Sequence, residues 1–524
     1  MQDVPADPDQ SELAGRSAYL VGVGGCGMSG LARVLARLGV KVSGSDVAPS
    51  AVTRQLEDDG IGVAFDQRAG VLPEETDLVI ASAAVPHDHP ELLAASSRGI
   101  ERWSYAEALG RCMVGRTGVA VAGTHGKSTT IAMLGHTLIS AGLDPSVIVG
   151  ATVPQFAQEG GDPTGYRVGG PVVPRGKREG EPGLLLAEAC EYNRSFHNLR
   201  PTIGAINCVE ADHLDIYGSL DAIIEAFRGF VRLLPSASAG GRLLIAHTGA
   251  HRREVTAGVS ADVETIGYEP SADWQVTYDT RTRRVGLIHR GRPVCDWTLA
   301  LPGGHMACNS AVAGVLAVWA GAKPDEVSAG RASFAGLDRR MQLLGDVPIN
   351  GKGREGVVRV YDDYGHHPTE VETTLRALRE HDRPEEHGGR VICVFQPHQH
   401  SRTRFFMEEF ASAFGQADIV VVPEIYFVRD SEQERTRVSA SDLVEKLRER
   451  NVRAMHLHPF GAIVEQLENL CRGGDLLVVM GAGPVWRIAR DYMSNASTQG
   501  KPGGTSAAGV RTPGSGGTRT GRGV

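Results

Sequence analysis

No two of the eight cysteines, at 26, 112, 190, 208, 295, 308, 393 and 471, are spaced as C-x-x-C. That pattern favours neither a zinc ribbon nor a disulfide framework. Positive charge is not in surplus either: the formal net charge is -8. Nothing in that balance points to nucleic acid or an anionic membrane as a partner. No apolar run is long enough to span a bilayer, so no membrane insertion is expected. The opening residues, MQDVPADPDQSELAG, lack a basic stretch followed by an apolar one, which argues against an ordinary signal peptide. A cytoplasmic location is the expectation. What is present is a chain of 524 residues, 41% hydrophobic and rich in glycine, with 66. Its length suggests about two to four domains with substantial cores.

The pattern divides into three blocks and a tail. Residues 1–116 hold an apolar strand, a glycine turn, an Ala/Leu/Arg-rich helix and a second strand ending at Asp46. Residues 117–336 start with the strand VAVAG and a helix from about Lys127 to Ala141, followed by the strands LLLAEA and TIGAIN. Between the helix and those strands, a Gly-, Pro- and charge-rich stretch reads as an exposed loop. Short alternating runs over 265–300 predict a small antiparallel patch. Residues 337–493 alternate strands such as RVICVF, ADIVVV and DLLVVM with helical patterns, as a second doubly wound sheet does. Residues 494–524 are polar and basic, and the composition predicts disorder. The fold class is α/β, with parallel sheets in successive domains.

The stretch AGTHGKSTT carries the clearest chemistry. A strand runs through a glycine turn into a helix N-terminus, where free N–H groups and the helix dipole favour phosphate. Gly123 and Gly126 let the backbone approach closely, and Thr124 and His125 lie between them. Lys127 can neutralise β- and γ-phosphate oxygens, and Ser128 or Thr129 can offer a hydroxyl to Mg²⁺. ATP or GTP would fit. The usual loop has its first glycine five residues before the second; here that position is Val121. Acids sit where the next two strands end: Glu188 and Glu191 in EACEYNRSF, then Glu210 and Asp212 beside His213 in EADHLDIYG. Parallel strands gather such ends on one edge, beside the loop. These oxygen ligands suit Mg²⁺, and a second ion with a histidine ligand is compatible with the set, two ions in all during turnover.

A second glycine turn, GVGGCG, precedes it. Gly22, Gly24 and Gly27 match G-x-G-x-x-G, and Asp46 lies where an acid would hold a ribose hydroxyl. Alone this reads as a nicotinamide site. The same turn holds any pyrophosphate, however, including that of a nucleotide sugar, and a kinase-like loop has no role in hydride transfer. A diphosphate-linked substrate beside an ATP site gives both turns work.

Taken in order, GVGGCGMSGLA, VSGSD, AGTHGKSTT, EACEYNRSF, EADHLDIYG, DDYGHHPTE, FQPHQHSRTR and MGAG resemble the Mur ligases, the amide-forming enzymes of peptidoglycan synthesis. The resemblance runs from residue 22 to residue 483. It implies a Rossmann-like UDP-sugar-binding domain, a central ATP-binding domain and a Rossmann-like C-terminal domain that closes over the site. The implied reaction is ATP-dependent ligation of L-alanine to the muramate carboxylate of UDP-N-acetylmuramate through an acyl phosphate. The alternative is the recycling reaction that adds murein tripeptide to the same acceptor. Carried over by motif, Gly22, Gly24, Gly25, Gly27, Met28, Ser29, Asp46 and Ser82 would hold UDP. ATP would meet residues 123–129 of the loop, with His305 and Asn309 from GGHMACN and Asp362 from DDYGHHP. Ser128, Glu188 and His213 would bind metal. His125, Lys127, Glu188, His213, His366, His398 and Arg402 would serve the chemistry. Departures are Gln399, where many relatives carry arginine, and Pro484, where aspartate is common. Monomer and homodimer both stay open.

Overall fold

The computed structural model describes residues 13–157, 162–349, 355–428 and 430–499. The first sheet is all parallel, in the order β3-β2-β1-β4-β5. Its strands are β1 (Ser17–Val21), β2 (Lys41–Ser45), β3 (Gly62–Ala64), β4 (Leu78–Ala81) and β5 (Glu101–Ser104). Helix α1 (Cys26–Arg37) follows β1 and buries Met28, Leu31, Val34 and Leu35, the helical spacing of an apolar stripe.

The middle sheet has ten strands: β6 (Thr117–Ala122), β7 (Ser146–Val153), β8 (Thr164–Arg167), β9 (Leu184–Glu188), β10 (Ile203–Ile206), β11 (Arg242–Ala246), β12 (Asp262–Gly267), β13 (Trp274–Asp279), β14 (Arg284–His289) and β15 (Arg292–Thr298). Their order is β15-β14-β13-β12-β11-β10-β6-β9-β7-β8. Every residue of β6 is buried, as a central strand covered on both faces requires. Helix α2 (Lys127–Ser140) leaves its end. The expected antiparallel patch is present as β13-β14-β15.

The Gly/Pro-rich stretch is not simply an exposed loop. It contributes β8, which pairs antiparallel with β7, and it buries Val173 at 1% exposure. Tyr166 of β8 lies under the Arg33 guanidinium of α1, 4.1 Å from the ring centroid. The composition pointed to a loop because isolated apolar residues among Gly and Pro show no period; edge pairing and a partner domain bury them instead.

The third sheet contains β16 (Gln342–Ile349), β17 (Gly356–Asp363), β18 (Val391–Phe395), β19 (Ile419–Val422), β20 (Arg453–His456) and β21 (Leu476–Met480), in the order β16-β17-β21-β18-β19-β20. It is parallel except for the edge pair β16–β17. Apolar clusters cross from the first sheet to the middle one and from the middle one to the third, so the units pack on one another. The last helix continues to Gln499, and the rest of the expected tail lies outside the described residues.

Candidate active site

In the middle sheet β6 lies between β9 and β10, pairing Val121 with Glu188 and Ala122 with Ile206. Side chains just past all three strand ends therefore converge on the loop that leaves β6. That loop needs its glycines. Gly126 caps α2 at φ 80°, a left-handed conformation, and a Cβ there would collide with Asn309. No side chain caps α2, so its first N–H groups stay available to an anion. Thr124 ties the loop to the β10 exit: its Oγ1 accepts the Glu210 N–H at 2.9 Å.

The acids take up distinct positions. Ser128 donates to Glu188 at 2.9 Å, and the other Glu188 oxygen accepts the Gly150 N–H at 2.5 Å. Lys127 donates to both Glu191 oxygens, at 3.0 and 2.8 Å. His213 Nε2 stands 3.8 Å from Glu191 and 3.6 Å from Asp212. Ligand atoms of Glu191, Asp212 and His213 lie within 4.8 Å of one another. Burial pulls the His213 pKa down and the Asp212 charge opposes it, so the imidazole is held below its ordinary value. The structure thus shows two groupings near the loop, Ser128 with Glu188 and His213 with Glu191 and Asp212, whose oxygens suit Mg²⁺, a hard ion that takes oxygen ligands.

The third domain completes the site from above. Helix α3 (Pro368–Asp382) begins there with a box in which His367 and Glu370 cap each other's backbone ends. Glu370 receives His125 at 3.2 Å across the domain boundary, and Thr369 donates to Glu210 at 2.8 Å. Burial alone would lower the His125 pKa; the Glu370 charge and hydrogen bonds to Glu210 and Glu370 outweigh it and raise it well above the usual value. Arg402, 6% exposed, donates to buried Asp212 at 2.7 Å and to His398 at 3.4 Å. His366 lies 5.6 Å from His398, ring to ring, and burial with the Arg402 charge pushes its pKa down to about 4. Removing one member of a buried charge pair such as Arg402–Asp212 costs ~3–5 kcal/mol, because the other charge is left buried and unpaired.

Beside the loop lies a cavity of about 300 Å³. Ile266, Val276, Met306 and Val312 make its apolar walls, and His305, Asn309 and Tyr268 stand at its polar side. A slot with apolar faces and few polar groups is what a planar base requires. Asp362 is turned away from it toward Arg339, at 3.3 Å. The neighbouring Asp363 lines the cavity instead, because successive residues of β17 face opposite ways.

The first turn is a separate structure. Gly22 is left-handed at φ 79°, with Ser82 packed against it, and Gly25 caps α1. The Gly24 N–H donates to Asp46 at 2.8 Å. Gly27 lets α1 approach Tyr105, whose hydroxyl would be 2.9 Å from any Cβ. Met28 is buried, and Ser29 is spent inside, its hydroxyl on the Cys26 carbonyl and its N–H on the Gly25 carbonyl at 2.8 Å. The turn faces the other site: burial and the Glu188 charge push the Cys26 thiol up to about 11.

Sequence reasoning missed Glu370, Asp363 and Asn207, which donates to the His125 carbonyl at 3.2 Å. The H-P-T-E pattern at a helix start was the available signal for Glu370. Asn207 and Asp363 had none, since their roles depend on which elements meet.

Three family models match the chain: Mur ligase family, catalytic domain, over 17–117; Mur ligase middle domain over 121–317; and Mur ligase, glutamate ligase domain, over 339–483. A UDP-N-acetylmuramate–L-alanine ligase of Kineococcus radiotolerans is 39% identical over 490 residues, covering 91% of this chain and 95% of the relative. One from Agathobacter rectalis is 35% identical over 482 residues, covering 91% and 97%. Among solved structures, a UDP-N-acetylmuramate-alanine ligase from Thermotoga maritima superposes with a TM-score of 0.69 at 22% identity, covering 92% of this chain and 99% of that one. A murein peptide ligase from Psychrobacter arcticus reaches 0.65 at 23% identity, with the same coverage. At those identities the two structures speak for the fold alone. Among the described residues no helix is long and apolar enough to cross a membrane.

Proposed function

The chain belongs to the Mur ligase family, and from that premise we propose that it joins L-alanine to the muramate carboxylate of UDP-N-acetylmuramate at the expense of ATP. The observation that carries the reading is the meeting of three elements at one place. A lysine-bearing phosphate loop, a carboxylate–histidine set and the Arg402–His398 pair of the third domain converge on Asp212 and Glu191.

The chemistry follows from the groups present. A carboxylate is a poor acyl donor until one oxygen becomes a phosphate leaving group. ATP's terminal phosphoryl passes to a muramate carboxylate oxygen, and ADP departs. The free amine of L-alanine then attacks the acyl carbon, loses a proton, and phosphate leaves as the amide forms. Lys127 and the N–H groups that open α2 meet the charge on the transferring group. Mg²⁺ held by Ser128, Glu188 and His213, the last with Glu191 and Asp212 beside it, would neutralise further phosphate charge. Cavity residues His305 and Asn309 would orient the base, and the first turn would hold the diphosphate of UDP. Arg402, which now donates to Asp212 and His398, would steer the acyl phosphate or the carboxylate of alanine. Closure through His125–Glu370 and Arg402–Asp212 keeps water from hydrolysing the activated acyl group.

The test is phosphate release from ATP and Mg²⁺ with UDP-N-acetylmuramate, comparing L-alanine with L-Ala-γ-D-Glu-meso-diaminopimelate. Release that depends on L-alanine, with the amide product seen by mass, supports the reading. Release with tripeptide alone would assign the chain to recycling, and release with neither would sink the ligase reaction.

A further inference from the structure

An ammonium group has three N–H donors, and those of Lys127 are all engaged. They go to the Gly123 carbonyl at 2.6 Å, the Thr124 carbonyl at 3.2 Å and the Glu191 carboxylate at 3.0 and 2.8 Å. The pair is enclosed, with side-chain exposures of 14% and 5%. None of these donors remains for a nucleotide phosphate unless a present partner lets go. Two of the partners are carbonyls of the loop backbone, which other hydrogen bonds hold in place. Glu191 is the partner that can move. Its backbone is anchored, the carbonyl accepting the Tyr217 hydroxyl, while its carboxylate sits on rotatable bonds within 3.8 Å of His213.

We propose that Glu191 is an internal counter-ion of the phosphate loop, occupying on Lys127 the position of a nucleotide's terminal phosphates and yielding it when ATP enters. The inference rests on the reading of the loop as an ATP site. Glu191 thereby keeps the lysine aimed into the loop between turnovers. The cost is competition: a carboxylate opposes every phosphate that approaches. The displaced carboxylate stays beside Asp212 and His213, the last of which is among the residues that would hold Mg²⁺. Free ATP must therefore evict Glu191 unaided, whereas a divalent ion offers the carboxylate another partner.

Calorimetric titration of the full chain and of Glu191→Gln with ATP, ADP and adenosine, all in EDTA, tests this. The amide keeps the shape and removes the charge. Metal-free ATP and ADP should bind the variant at least about tenfold tighter, the scale of one close charge pair, while adenosine affinity stays the same. Glu191→Asp, which keeps the charge on a shorter arm, should fall between them, and it serves alone if melting shows the Gln variant unfolded. Unchanged or weaker ATP binding in a folded variant overturns the inference. Equal tightening of adenosine also overturns it, because the cavity would simply have loosened. If neither protein binds ATP in EDTA, the inference falls; if neither binds it with Mg²⁺ present, the nucleotide reading falls as well. Failure of L-alanine-dependent turnover would leave these titrations standing.

Discussion

The turn at Gly22–Gly27 and the loop at Gly123–Lys127 each end a parallel strand and open a helix that no side chain caps. Both therefore present free backbone donors on a helix dipole, the general device for holding phosphate. They differ in what else they bring. The first turn contains no cation, and Asp46 braces it through the Gly24 N–H at 2.8 Å. The second adds a lysine, gathers acids from the ends of β9 and β10, and receives His367, His398 and Arg402 from another domain. Backbone donors are enough to hold a diphosphate that stays intact. Moving a phosphoryl group needs charge that can be redistributed during the reaction, and only the second loop carries it.

Lys127→Ala should break the comparison most severely, by making the second loop resemble the first. Turnover should fall by about 10³-fold, the scale for removing a preorganised charge from a developing anion. Binding of UDP-N-acetylmuramate, measured by calorimetry, should stay near the wild-type value. A variant with normal turnover would place ATP elsewhere.

The second site also carries histidines, and the first turn carries none. Burial, then the Arg376 charge, pushes the His305 pKa down to about 4 from 6.5. The folded chain thus resists a proton that the unfolded chain accepts. Stability from this group is complete above pH 6.5, is lost as pH falls toward 4, and levels below that. His305→Asn removes the term, so the variant should gain up to ~3 kcal/mol on the wild type between those pH values. Melting midpoints of both proteins across that range check it; a constant difference would mean that His305 is not held neutral by the fold. Asp363, pushed up to about 6 by burial, has the opposite sign and is common to both proteins.

Gly24→Ala attacks the first turn alone. A Cβ there would stand 2.8 Å from an Asp46 oxygen and 3.0 Å from Thr53, so the brace must shift. KM for the UDP-sugar should rise about tenfold with kcat retained, the signature of lost uniform binding. ATP affinity should not change. A fall in kcat instead would couple the first turn to phosphoryl transfer, against the division of labour drawn here.

The two turns were legible in the chain because their constraints are local: a glycine that must be left-handed, a lysine at the first helical position, an acid at a strand end. Long-range meetings were not. Glu191 stood out as a strand-end acid, but its claim on Lys127 depends on how residues 189–192 turn after β9. Asp362 and Asp363 are adjacent letters that the pleat of β17 sends to different partners. Tyr166 lay in a stretch whose composition spoke for a loop, and its packing depends on Arg33 and Gly30 in another domain. Family resemblance named the motifs that share the site; it did not indicate which side chains satisfy one another there.

Asp46→Asn produces the smallest effect and draws the finest distinction, because Asp46 and Glu191 are both carboxylates resting on a phosphate-binding turn. Asp46 accepts the Gly24 and Val47 N–H groups, one on each oxygen. It braces backbone and, among the described residues, pairs with no cation. An amide can still accept one of those bonds, and the loss is that of one charge-assisted bond, ~1 kcal/mol. Affinity for the UDP-sugar should therefore weaken by about fivefold and should not tighten. Glu191→Gln is expected to move ATP affinity the other way, since that carboxylate competes for a charge that the ligand needs. If Asp46→Asn instead tightened the UDP-sugar, Asp46 would also be a stand-in for phosphate. The two turns would then share one device, with lysine the only real difference between them.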